Sequence, residues 1–149
     1  MVAGRYRLTR QLGRGGMGAV WLGEDELAGR LVAVKELRAP DGVTEAEREV
    51  FRKRALQEAR SAARLVHQNA VVLHDIIPAT SADDAVYLIM EYIDGATLAQ
   101  VIERDGPLSE PRTAGIALQL LSILEAAHGL GIVHRYIKPA NIMITATGG

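Results

Sequence analysis

Apolar and polar positions alternate through the first third of the chain with the two-residue period of strands. Arg5 to Leu12, Gly18 to Glu24 and Leu31 to Leu37 read as three strands, parted by glycines and by the turn Glu26-Leu-Ala-Gly-Arg30. The gaps are too short for a helical crossover, so consecutive strands run antiparallel. Ala39 to Val43 breaks the pattern. Thr44, with Glu47 three residues on, then opens a helix that runs to about Arg64. Val71 to Ile77 and Ala85 to Ile93 predict two further strands around the polar turn Thr80 to Asp84. Composition shifts at Asp94-Gly95, dividing the chain into 1–93 and 94–149. The second part predicts a short helix from Leu98 to Arg104, a turn at Asp105 to Pro107, and a long helix from Ser109 to His128. Ser109 caps that helix and Pro111 is tolerated in its first turn. Gly129 and Gly131 end it, and Ile132 to Thr145 reads as a loop with a short strand. No internal repeat or low-complexity segment interrupts this outline.

Composition narrows the class. Seventeen basic residues against eighteen acidic leave a net charge of −1, too little field to hold nucleic acid or an anionic membrane by charge alone. Aromatic residues are 4% of the 149, which disfavours a stacking platform for single strands. With no cysteine there is no disulfide, thiolate zinc site or cysteine nucleophile, in keeping with a reducing compartment. The first residues, MVAGRYRLTR, lack the apolar core of a secretory signal. The most apolar stretch, Thr113 to Val133, is broken by Gln119, Glu125 and His128 and reads as a buried helix. These features predict a cytoplasmic protein.

Candidate chemistry begins at Leu12-Gly-Arg-Gly-Gly-Met-Gly-Ala-Val20, where Gly13, Gly15 and Gly18 form a G-x-G-x-x-G spacing. Glycine lets a backbone approach phosphate oxygens with its N–H groups forward. A dinucleotide fingerprint would need a helix straight after the glycines, whereas Ala19-Val-Trp-Leu22 continues as a strand. Lys35 closes the apolar run Val32-Ala-Val. It reads either as an edge lysine that snorkels to water or as a placed cation. On the following helix, Phe51, Ala55, Glu58, Ala62 and Leu65 share one narrow face, which puts a carboxylate on the inward stripe. Arg54, one turn back, is a local partner for it, and Lys35 is a distant one.

Glycine loop, strand lysine, helical acid and the segment Ile132-Val-His-Arg-Tyr-Ile-Lys-Pro-Ala-Asn-Ile-Met143 occur in the order of the protein-kinase signatures, and the chain resembles bacterial, actinobacterial-type Ser/Thr protein kinases. The resemblance implies an α+β fold: a five-stranded antiparallel N-lobe sheet with one helix, then an incomplete, mainly helical C-lobe. It also implies ATP as ligand with Mg²⁺, and a protein as substrate or partner. By it, Lys35 holds the α- and β-phosphates and Glu58 aims Lys35. Leu12, Gly13, Gly15 and Gly18 cover the nucleotide, Val20 and Ala33 form its roof, and Met143 its floor. Met90 becomes the gatekeeper, Glu91 and Ile93 offer backbone groups to adenine, and Thr97 is a minor candidate for the ribose. His67-Gln-Asn69 resembles the family's His-Pro-Asn loop and is structural. His134 matches the structural histidine and Arg135 the arginine facing the activation segment. Lys138 matches the lysine that steadies the transferred phosphoryl group, and Asn141 the Mg²⁺ ligand.

Tyr136 stands where the family carries its catalytic aspartate. A phenol, with a pKa of about 10, is neutral at physiological pH and cannot supply the negative acceptor that orients a substrate hydroxyl. No D-F-G follows before Gly149, so the main Mg²⁺ carboxylate is also missing from the sequence. The expectation is a chain unable to phosphorylate substrates at a useful rate. Three readings follow: a Ser/Thr kinase, a pseudokinase that binds nucleotide and signals by shape, or a remnant that does neither. The intact Gly13, Gly15, Gly18, Lys35, Glu58 and Asn141 set favours retained nucleotide binding. The Ser109 to His128 helix is apolar on most azimuths, and its uncovered face predicts self-association.

Overall fold

The computed structural model describes residues 1–15, 18–79, 85–131 and 143–145. The chain divides into two compact units, Met1–Arg64 with Val71–Tyr92, and Leu65–Ala70 with Ile93–Gly149. The short stretch from Leu65 to Ala70, which lies within the first part as read from composition, thus groups with the second unit.

In the first unit β1 (Tyr6–Gly15), β2 (Gly18–Asp25) and β3 (Arg30–Leu37) form consecutive antiparallel hairpins. α1 (Glu45–Ala63) follows, then β4 (Leu73–Ile77) and β5 (Val86–Glu91). The sheet order is β1-β2-β3-β5-β4, with every pair antiparallel. β1 runs three residues further than its alternation predicts, because a bulge at Leu12 shifts the register and lets Gly13, Arg14 and Gly15 go on pairing. Thr44 caps α1, its hydroxyl accepting the Glu47 N–H at 3.1 Å.

Side chains alternate across the sheet and split its core in two. One face packs Val32, Val34 and Ile89 with Val2 and Tyr6, flanked by Leu8, Trp21, Ile77 and Tyr87. The other packs Leu37 and Val86 against Ala55 of α1, with Phe51, Ile76 and Leu88 around them. Polar ties brace the first face. Asp25 is buried at the β2–β3 turn, where both its oxygens accept from Arg5 at 2.9 Å and the Leu27 and Ala28 N–H groups donate to it at 3.1 Å. The Arg5 guanidinium, helped by those two amides and opposed by burial, lowers the Asp25 carboxyl to about 2. Tyr6 donates its hydroxyl to Asp75 at 2.8 Å, and burial together with that carboxylate pushes the phenol up to about 12.

In the second unit β6 (Gly95–Thr97) pairs antiparallel with β7 (Met143–Thr145), and α2 (Leu98–Asp105) and α3 (Glu110–Gly129) lie between them in sequence. Leu98, Val101 and Ile144 form its small core, with Ala96, Leu108 and Ile116 against it. Ser109 caps α3 as its position predicts, accepting the Arg112 N–H at 3.3 Å. His67 accepts the Asn69 N–H on Nδ1 at 3.0 Å, which leaves Nε2 protonated and donating to Ser122 Oγ of α3 at 2.9 Å. This ties the Leu65–Ala70 stretch to α3 and gives the His67-Gln-Asn69 motif its structural role. Among the described residues no helix is long and apolar enough to cross a membrane.

Candidate functional site

Directly opposed residues of an antiparallel pair project to the same side of a sheet. Val20 lies opposite Lys35 and Leu22 opposite Ala33. Ala33 in turn lies opposite Met90, and Lys35 opposite Leu88. Val20 on β2, Ala33 and Lys35 on β3 and Met90 on β5 therefore stand on one face of the first unit, across three adjacent strands. Further along the same face, Leu37 and Val86 pack on α1. Gly13 is brought to this row by its pairing with Val20. Ala33 is buried, Val20 and Met90 are half-buried, and Lys35 is exposed.

The glycines do different work. A Cβ on Gly13 would meet no atom within 4 Å, so the space over its backbone is open. Gly18 has φ +145°, and a Cβ there would fall 1.9 Å from the Glu36 carbonyl oxygen. It is glycine because the start of β2 presses on the end of β3. Gly15 pairs with Gly18 and closes the β1–β2 ladder.

α1 is turned from the face its apolar spacing predicts. Ala55 and Ala59 are buried and Phe51 half-buried, whereas Glu58 and Ala62 are exposed. The contact line runs i, i+4, i+8 from Phe51, because the small Ala55 and Ala59 let the helix approach the sheet closely. Glu58 thus sits on the solvent flank of the line and not within an apolar stripe, so burial does not demand a partner for it.

At the end of β5 the Glu91 N–H donates to the Val72 carbonyl at 2.9 Å. The Val72 N–H donates at 2.9 Å to Oε1 of the Glu91 side chain. No sequence pattern marks this second bond, since it joins a side chain to a backbone nineteen residues away. Ile93 and Met143 belong to the second unit, where both are half-buried and Met143 pairs with Thr97. Thr97 caps α2. Its hydroxyl accepts the Gln100 N–H at 3.1 Å and its own N–H donates to Gln100 Oε1 at 2.9 Å, a complete capping box for α2. Tyr136, Lys138 and Asn141, with His134 and Arg135, lie outside the described residues, as does the turn Thr80 to Asp84. Among the described residues no group of three or more His, Asp or Glu is placed to hold a metal.

The family described as "Protein kinase domain" matches this sequence over residues 6–149. The chain belongs to the protein kinase domain family. It is 42% identical over 143 residues to the serine/threonine-protein kinase PknE of Mycobacterium tuberculosis (strain H37Rv), covering 96% of this chain and 24% of that protein. It is 41% identical over 147 residues to the serine/threonine-protein kinase PrkC of Bacillus subtilis, covering 99% and 22%. It is 39% identical over 150 residues to the probable serine/threonine-protein kinase PknB of Corynebacterium glutamicum, covering 100% and 23%. The kinase domain segment seen here thus spans less than a quarter of the length of these relatives. The five-stranded antiparallel sheet with its single helix is the N-lobe architecture that the family implies.

Proposed function

We propose that this chain binds ATP on the Lys35 face of its sheet as the nucleotide module of a Ser/Thr protein kinase, and that Tyr136 leaves phosphoryl transfer severely impaired. The observation that carries the first half is the register that sets Val20, Ala33, Lys35 and Met90 on one face. The open backbone at Gly13 fits phosphate oxygens, which a Cβ there would obstruct. In the family, ATP with Mg²⁺ supplies the γ-phosphoryl group and the cation that neutralises it. In this chain Gly13, Gly15 and Gly18 would cover the phosphates, with Leu12 beside them. Lys35 would bind the α- and β-oxygens, and Glu58 on the flank of α1 would hold that ammonium in place. Val20, Ala33 and Met90 would contact the purine from the sheet, with the Glu91 main chain beside it, and the family resemblance adds Met143 and the Ile93 main chain as further purine contacts. Lys138 and Asn141 would face the transferred group and the metal.

Tyr136 removes the anionic acceptor of the substrate hydroxyl, a contribution of about 10²–10⁴-fold in rate. A chain that binds ATP and transfers little is a regulatory module, the second reading that the same residue favours. Thermal denaturation with ATP, with and without Mg²⁺, tests the nucleotide half, and no shift in either condition would remove it. Phosphotransfer to a serine-containing protein, compared between the whole gene product and its Tyr136→Asp variant, tests the other half. The variant is expected to be much faster, and equal robust activity in both would overturn this account of Tyr136. Self-association belongs to the same proposal, supported by the exposed Leu118 and Leu121 of α3.

A further inference from the structure

The β4–β5 ladder pairs Leu73 with Met90, so the next pair in register is Val72 with Glu91. In a regular ladder such a pair exchanges two backbone bonds, each N–H going to the other's carbonyl. Here one of the two forms, from the Glu91 N–H to the Val72 carbonyl at 2.9 Å. The return bond is taken by the side chain, with the Val72 N–H donating to Glu91 Oε1 at 2.9 Å. Among the described backbone bonds beyond the strands, none runs from Val72 N–H to the Glu91 carbonyl. The carboxylate has displaced its own residue's main-chain oxygen from the ladder.

We propose that Glu91 is a positioning residue for purine recognition: by satisfying Val72 with its side chain, it leaves its main-chain carbonyl for the exocyclic amino group of adenine. This rests on the nucleotide reading above and adds to it a side chain that touches no ligand. The register sets the Glu91 carbonyl opposite the Val72 N–H, so that oxygen is the backbone acceptor left to it once the carboxylate is removed. Truncating Glu91 therefore turns the Val72 N–H back to the Glu91 carbonyl and draws that oxygen into the ladder. The residue acts on which base is bound and not on the grip of the phosphates, which lies with Lys35 and the glycines.

The test is calorimetric titration of the purified chain with ATP and with purine riboside triphosphate, which lacks the 6-amino group. It compares the unsubstituted chain, Glu91→Gln and Glu91→Ala. The unsubstituted chain is expected to prefer ATP by about five- to ten-fold, the worth of one hydrogen bond. Glu91→Gln keeps that preference, since its amide oxygen still accepts from Val72. Glu91→Ala loses it through weaker ATP binding, with purine riboside triphosphate bound as before. An unchanged preference in Glu91→Ala, or an equal loss for both nucleotides, overturns the role of Glu91 and leaves the nucleotide reading standing. Failure of the unsubstituted chain to bind either nucleotide overturns both.

Discussion

Two glycines of one motif separate stability from binding. Gly18→Ala places a methyl carbon 1.9 Å from the Glu36 carbonyl at a φ of +145°. The expected cost is about 2 kcal/mol or more, read as a lower urea midpoint. Gly13→Ala meets no neighbouring atom, so its unfolding free energy should change by no more than about 0.5 kcal/mol, while the thermal shift with ATP shrinks. The spacing of these glycines is visible in the sequence. Their division of labour is not, because it depends on Glu36, on a strand eighteen positions along. Asp25 carries a prediction in pH. With its carboxyl lowered to about 2 by the Arg5 guanidinium, the folded chain holds this group's proton less tightly than the unfolded one does. Its contribution is therefore complete above the ordinary value of 3.8 and is lost as pH falls from there towards 2. Denaturation followed across that window should show stability falling more steeply in the unsubstituted chain than in Asp25→Asn. Parallel curves would mean that other carboxylates dominate.

Single elements were legible to different depths. Thr44 and Glu47 mark the start of α1 within one residue, because a cap is a local event that neighbouring positions determine. The face that α1 buries is a matter of what meets it, and Ala55 and Ala59 prevail over the line through Glu58 and Ala62. β6, three residues long, has no pattern of its own and exists through its pairing with β7. The orientation of α1 makes Glu58 a clean probe. Because its side chain is exposed, Glu58→Gln should leave the unfolding free energy from urea denaturation within about 0.5 kcal/mol and reduce the thermal shift with ATP. A loss of stability without loss of the ATP response would assign Glu58 to the fold and not to Lys35.

At the scale of the molecule, the order of motifs along the chain was enough to name the family, since that order survives whatever the local geometry. The sheet topology follows from it and from short connections. The assignments of Tyr136, Lys138 and Asn141 rest on resemblance alone. α3 reads as apolar on most of its circumference, yet Leu118 is 68% and Leu121 56% exposed. Light scattering across a concentration series should show oligomers that Leu118→Glu with Leu121→Glu abolishes. A monomer at every concentration in the unsubstituted chain would count against self-association. The grouping of Leu65–Ala70 with the second unit has a covalent corollary. The polypeptide passes from one unit to the other three times, after Arg64, after Ala70 and after Tyr92. A single proteolytic cut after Tyr92 would release all five strands of the sheet, but that fragment would carry His67 without the serine its ring meets.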